Sequence, residues 1–183
     1  MINLNTYIRE GIHFKLTRDY KKPYNYHPQS KSELRELIKQ FIDKRGNEAD
    51  LNDIDTSKIT DMSMLFIDME FDGDISSWDV SNVTDMSYMF YGSQFTGKNG
   101  DISSWNVSNV KDTQYMFWRS EFTGKNGDLS NWDVSNVKDM KSMFAYSKYN
   151  GDLSKWNVSN VEDMDDMFKV SPLQGKEPAW YKE

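Results

Sequence analysis

The chain has 183 residues and no cysteine, which excludes disulfides and thiolate metal sites. Its formal charge of -7 is unevenly spread: residues 1–48 hold ten Lys/Arg against six Asp/Glu, while residues 49–183 hold twelve against twenty-three. So acidic a main body argues against gripping a phosphate backbone, making nucleic acid an unfavoured partner and another protein, basic or zwitterionic, the favoured one.

Hydrophobic residues make up 37% but aromatics 14%, so the core must rest on a few large side chains at fixed places, unlike a disordered acidic chain. No stretch approaches the roughly 20 apolar residues needed to span a membrane, so no membrane insertion is expected. The start lacks a lysine-rich secretory leader, which favours a cytoplasmic or virion-associated location, with surface display only after removal of a leader.

Residues 1–29 form an N-terminal segment. MINLNTYIREG resembles the capsid-targeting leader of some large tailed phages, in which a prohead protease cuts after a hydrophobic-x-Glu tripeptide. Here the tripeptide is Ile8-Arg9-Glu10, so the resemblance marks Glu10 as a processing site; the same residues also read as an ordinary helix or strand. In residues 30–48, Leu34, Leu37, Ile38, Phe41 and Ile42 share one helical face, Ser30 and Glu33 make a capping box, and Gly46 ends the helix. Its expected role is to cover the first repeat.

Residues 49–170 are a repeat array. Four copies begin at Gly73, Gly100, Gly127 and Gly151, after a degenerate one over Asp50–Phe66; the starts are 27, 27 and 24 residues apart. In each, the stretch around Trp78-Asp79-Val80 reads as a short strand. Ser81, Ser108, Ser135 and Ser159 read as helix N-caps, and Val83, Met86, Met89 and Phe90 as one face of a short helix. One unit cannot bury its Trp and Phe alone, whereas stacking buries ladders of Trp, Val, Met and Phe. The expected fold is an α/β repeat: a right-handed, leucine-rich-repeat-like solenoid of about five coils of 24–27 residues, each a short strand plus a short helix, behind the capping helix. Residues 171–183, with Pro172 and Pro178, form a C-terminal cap in which Trp180 and Tyr181 either fold back on the last coil or stay exposed as an anchor.

The pattern W-[DN]-V-S-N-V-x-D-M-x-x-M-F, preceded by GD-[IL]-S, resembles the BspA-like leucine-rich-repeat family of bacterial surface proteins and lipoproteins. The resemblance implies a right-handed solenoid used for adhesion or protein binding. The chain departs from the surface-protein pattern in showing neither signal peptide nor lipobox, and short leaderless repeat proteins of similar kind occur in phage and mobile-element genomes.

Convergent reactive chemistry is not visible. The two histidines, His13 and His27, lie outside the repeats, and the repeated serines lack a nearby base. No phosphate-binding or dinucleotide glycine loop occurs. The expectation is no enzyme, no cofactor and no metal. Asp74, Asp101, Asp128 and Asp152 recur behind glycine and raise the question of calcium, but they read equally as turns in which Asp bonds its own backbone. Binding is expected where the copies differ: Tyr88, Tyr91, Tyr115, Trp118 and Arg119 cluster in the middle repeats with the composition of an interface hot spot. These aromatics also read as lateral packing between neighbours. The function expected is a non-catalytic protein-binding or adhesion scaffold, with a phage structural or assembly protein and a phage-encoded inhibitor of a host protein as alternatives.

Overall fold

The structure is a computed structural model that describes residues 24–182. One helix is present among them, α1, over Lys31–Arg45. The Ser30 hydroxyl accepts the Glu33 N–H, and Glu33 reaches back to the Gln29 N–H at 2.8 Å, one residue earlier than the usual capping-box partner. Gly46 ends α1 with φ 84°. Leu34, Ile38 and Phe41 are buried and join the same hydrophobic cluster as the repeats. Lys31 bonds the Asp61 carboxylate and the Ser63 hydroxyl, and Arg45 binds Asp53, so the helix is tied to the first repeat by charge as well as by packing. No described helix is long and apolar enough to cross a membrane.

The repeats do not form the expected α/β solenoid. They contain no helix, and their strand content among the described residues is confined to isolated parallel bridges. The reason lies in where the backbone groups go. A helix over 81–90 requires the Phe90 N–H to bond the Met86 carbonyl. Instead the N–H groups of Met86, Tyr88, Phe90 and Gly92 donate to the carbonyls of Asp112, Gln114, Met116 and Trp118 in the next repeat. The alternate N–H groups of Met89, Tyr91 and Ser93 close tight turns onto residues three earlier. The turns closed by Met89 and Ser93 carry a left-handed residue at their third position, as a type II turn requires, whereas the turn closed by Tyr91 has Phe90 there and does not. Tyr88 (φ 57°) and Gly92 (φ 63°) supply it here, and Tyr115 with Arg119 in the next repeat.

The expected serine N-caps are corrected by the same observation. Asp79 accepts from the Ser81 N–H and hydroxyl, so the aspartate is the capping group and serine the donor. Each full repeat has three such Asx turns, as at Asp74–Ser76, Asp79–Ser81 and Asp85–Ser87. The Asn that follows in each copy spans the layers: Asn82, Asn109, Asn136 and Asn160 each donate to a serine carbonyl of the preceding repeat, at 2.6–2.9 Å.

What results is a stack of turn-built layers in parallel register, with Asp61, Asp85, Asp112, Asp139 and Asp163 bridged in sequence. Inside, Phe66, Phe90, Phe117, Phe144 and Phe168 form one ring column with centroids 5.4–6.1 Å apart and planes within 6°. Phe71, Phe95, Phe122 and Tyr149 form a second. The repeated tryptophans are buried, each 4% exposed, as the sequence predicts. At the C-terminal end Trp180 stacks on Trp156 and Tyr181 packs edge-on against Phe168, closing the column.

Candidate functional site

The left-handed turn residues build a surface face. In order along the stack they are Met64 and Asp68, Tyr88 and Gly92, Tyr115 and Arg119, Ser142 and Tyr146, Asp166 and Val170. The large hydrophobics that stand exposed, Met64, Tyr146 and Val170, all occupy these positions. A left-handed backbone is unfavourable for a bulky L residue, and glycine or asparagine is its usual occupant. At Gly92 a Cβ would also meet the Asp68 carboxylate at 2.1 Å.

All five sequence-predicted residues lie on this face. Tyr88 stacks on Tyr115 at 4.9 Å, and Tyr91 on Trp118 at 4.3 Å. Tyr88 and Tyr91 are 5.7 Å apart, so the two pairs are contiguous. The Arg119 guanidinium sits 4.3 Å from the Trp118 ring and 5.8 Å from Tyr146. The four predicted aromatics are half-buried and Arg119 is exposed. These side chains pack laterally on each other and leave a contiguous, half-exposed aromatic surface. Tyr146 and Met64 belong to this surface and were not predicted. The sequence signal for them was positional, since each aligns with a predicted residue one repeat away.

The face has an acidic margin. Asp85, Asp112 and Asp139 are half-buried, and each accepts the backbone N–H two residues on. Burial raises the pKa of Asp139, and the neighbouring carboxylates of Asp112 and Asp163 push it the same way. Burial likewise raises the Tyr88 hydroxyl, with Tyr115, Asp112 and Asp139 adding to the effect.

The other sequence candidates are placed as follows. Asp74, Asp101, Asp128 and Asp152 each accept from a serine N–H at 2.7–2.9 Å, the turn reading of that column. Among the described residues no group of three acidic, histidine or cysteine side chains converges as a metal site would require. His27 pairs with Asp55 at 3.1 Å. Glu10 lies outside the described residues.

A family model described as "Mycoplasma protein of unknown function, DUF285" matches residues 34–145 and, in an overlapping second stretch, 120–174. The chain belongs to this family. The match begins inside α1, at residue 34, and runs through the layers, including the whole aromatic face of this DUF285 chain. No curated protein and no solved structure matches it.

Proposed function

We propose that this DUF285 chain is a non-catalytic protein-binding or adhesion scaffold, used as the repeats of BspA-like surface proteins are used. The observation that carries this reading is the stacked pair Tyr88–Tyr115 beside Tyr91–Trp118, half exposed on a regular face. Tyr and Trp present large rigid area at low entropic cost, and Arg beside them completes the composition that dominates binding hot spots. The repeat pattern's resemblance to the BspA-like family supports the same reading. The phage readings gain no further observation from the fold or the family match.

The test compares wild type with a Tyr88/Tyr115/Trp118 triple alanine variant shown by circular dichroism to keep its fold. Both are used for affinity capture from lysates and for adhesion to immobilised extracellular-matrix proteins. Loss of specific capture or adhesion in the variant is expected; identical partner sets for the two proteins overturn the assignment of this face.

A further inference from the structure

The two halves of the face, aromatic and acidic, suit one kind of ligand. Along the first column of left-handed residues the rings stop abruptly: Tyr115 stacks on Tyr88, but the next layer offers only Ser142, itself buried. Among the described residues Tyr88 is the one ring partner of Tyr115, so its second side is without an aromatic neighbour. One column over, between Trp118 and the buried Ala145, the step is filled by a cation, Arg119, lying on Trp118, together with Tyr146 edge-on to the same ring at 5.6 Å. Around the Tyr115 step stand the Asp112 and Asp139 carboxylates, with the Lys141 ammonium also acting on Asp139 and Tyr115. Among the described residues Asp85, Asp112 and Asp139 make no ion pair, whereas Lys31 is held by Asp61, and Lys141 by Asp163 and Asp165. The bridges keep these three carboxylates in sequence along consecutive layers, parallel to the tyrosines.

We propose that this face docks a basic, extended segment of a partner protein, an Arg or Lys side chain lying against Tyr115 and reaching the Asp112 and Asp139 carboxylates. The proposal rests on the protein-binding reading and adds the chemistry of the partner. A cation over a tyrosine face is attracted by the ring quadrupole, and a carboxylate within reach adds a charge-assisted hydrogen bond. Carboxylates crowded along one column repel one another, and a ligand cation relieves that repulsion. A nucleic acid or an acidic protein meets the same column with like charge.

The probe is a labelled dodecapeptide of alternating arginine and serine, with an alternating glutamate–serine peptide and a neutral oligosaccharide of N-acetylglucosamine as comparisons. Fluorescence anisotropy follows the peptides and calorimetry the sugar. Saturable binding of the arginine peptide alone is expected. The double variant Asp112→Asn/Asp139→Asn keeps both turn acceptors and is expected to weaken binding at least tenfold. Asp101→Asn/Asp128→Asn removes the same charge from a separate column of Asx turns and is expected to change it less than threefold. Tyr115→Ser is expected to weaken binding and Tyr115→Phe to preserve it. Equal losses in the two double variants would reduce the effect to net charge and overturn the proposal, as would binding of the sugar or the acidic peptide in place of the basic one. If the triple alanine variant loses its protein partners while Asp112→Asn/Asp139→Asn keeps them, the scaffold reading stands and the basic-segment proposal falls.

Discussion

The indole N–H of Trp180 donates to the Leu153 carbonyl at 2.8 Å, repeating one layer on the bond that Trp156 makes to Leu129. Trp180 stands 24 residues after Trp156, the same spacing that separates the last two repeats. The tail thus supplies the final indole of the ladder even though the rest of the repeat pattern has lapsed. Trp180→Ala is expected to destabilise the protein by about 2–3 kcal/mol, under the ~3–5 typical of a fully buried aromatic because Trp180 is only partly buried. Urea unfolding followed by circular dichroism measures it, and no shift in midpoint would mean that the tail does not cap the stack.

Trp105 is the exception in the ladder. Trp78 and Trp132 donate to Leu51 and Ile102 at 3.0 and 3.1 Å, while the Trp105 ring nitrogen is buried with no hydrogen-bond partner. Replacing Trp132 with Phe removes a hydrogen bond, leaving the Ile102 carbonyl with the Trp105 backbone N–H at 3.2 Å; replacing Trp105 with Phe removes an unpaired donor. Trp105→Phe is expected to cost about 1 kcal/mol less than Trp132→Phe, whose loss of ring volume is the same. Equal costs in parallel denaturation curves would show that the Trp105 N–H is satisfied in solution.

The carboxylate of Asp139 titrates above the ordinary aspartate range, through burial and then through Asp112 and Asp163. The folded state therefore binds this proton more tightly than the unfolded chain does. Its contribution is fully present below the unfolded aspartate pKa and is lost as pH rises through the higher folded value. Asp139→Asn keeps the turn acceptor for the Lys141 N–H without the charge. The variant is expected to melt higher than wild type at pH 7, the difference closing as pH falls towards 3. A difference independent of pH would assign the effect to something other than this ionisation.

Val170 is a β-branched residue at φ 51° and is 58% exposed, so its side chain pays the strain of a left-handed backbone without a packing return. Its N–H bond to the Gln174 side chain belongs to the backbone and survives substitution. Val170→Gly is expected to stabilise the fold by about 0.5–1 kcal/mol, the relief of strain exceeding the entropy that glycine adds to the unfolded chain. Thermal unfolding decides it; a lower midpoint would show that the valine contributes more than its exposure suggests.

The repeat, its apolar ladders and α1 were legible in the residues because all three are written as periodicity: Trp78, Val83, Met89 and Phe90 recur with their counterparts, and Leu34, Ile38 and Phe41 share one helical face. The backbone path was not. Spacings of three, three and one at Val83, Met86, Met89 and Phe90 fit a helix and equally fit successive four-residue turns. Asp85 is a turn acceptor, and the recurrence of Asp-x-Ser at 74–76, 79–81 and 85–87 is the sequence signal that favours turns. Phe95, Phe122 and Tyr149 stand outside the recurring Trp-to-Phe motif, two residues before a glycine, yet they keep the repeat period and are fully or nearly fully buried. The aromatic face was legible as variation between copies, a criterion indifferent to secondary structure, and so it does not depend on whether these residues form helices or turns.

The bonds that join one layer to the next are nearly the same at every junction: four N–H groups from Met62, Met64, Phe66 and Asp68 reach Asp85, Ser87, Met89 and Tyr91, and the set recurs from Met140, Ser142, Phe144 and Tyr146 to Asp163, Asp165, Met167 and Lys169. Because each junction presents the same edge that it consumes, a whole unit can be excised or duplicated in the gene and the flanking layers will find a matching neighbour. The number of layers is thereby separable from the chemistry of any one of them, with the helix on one side and Trp180 and Tyr181 on the other packing against the same repeated edge.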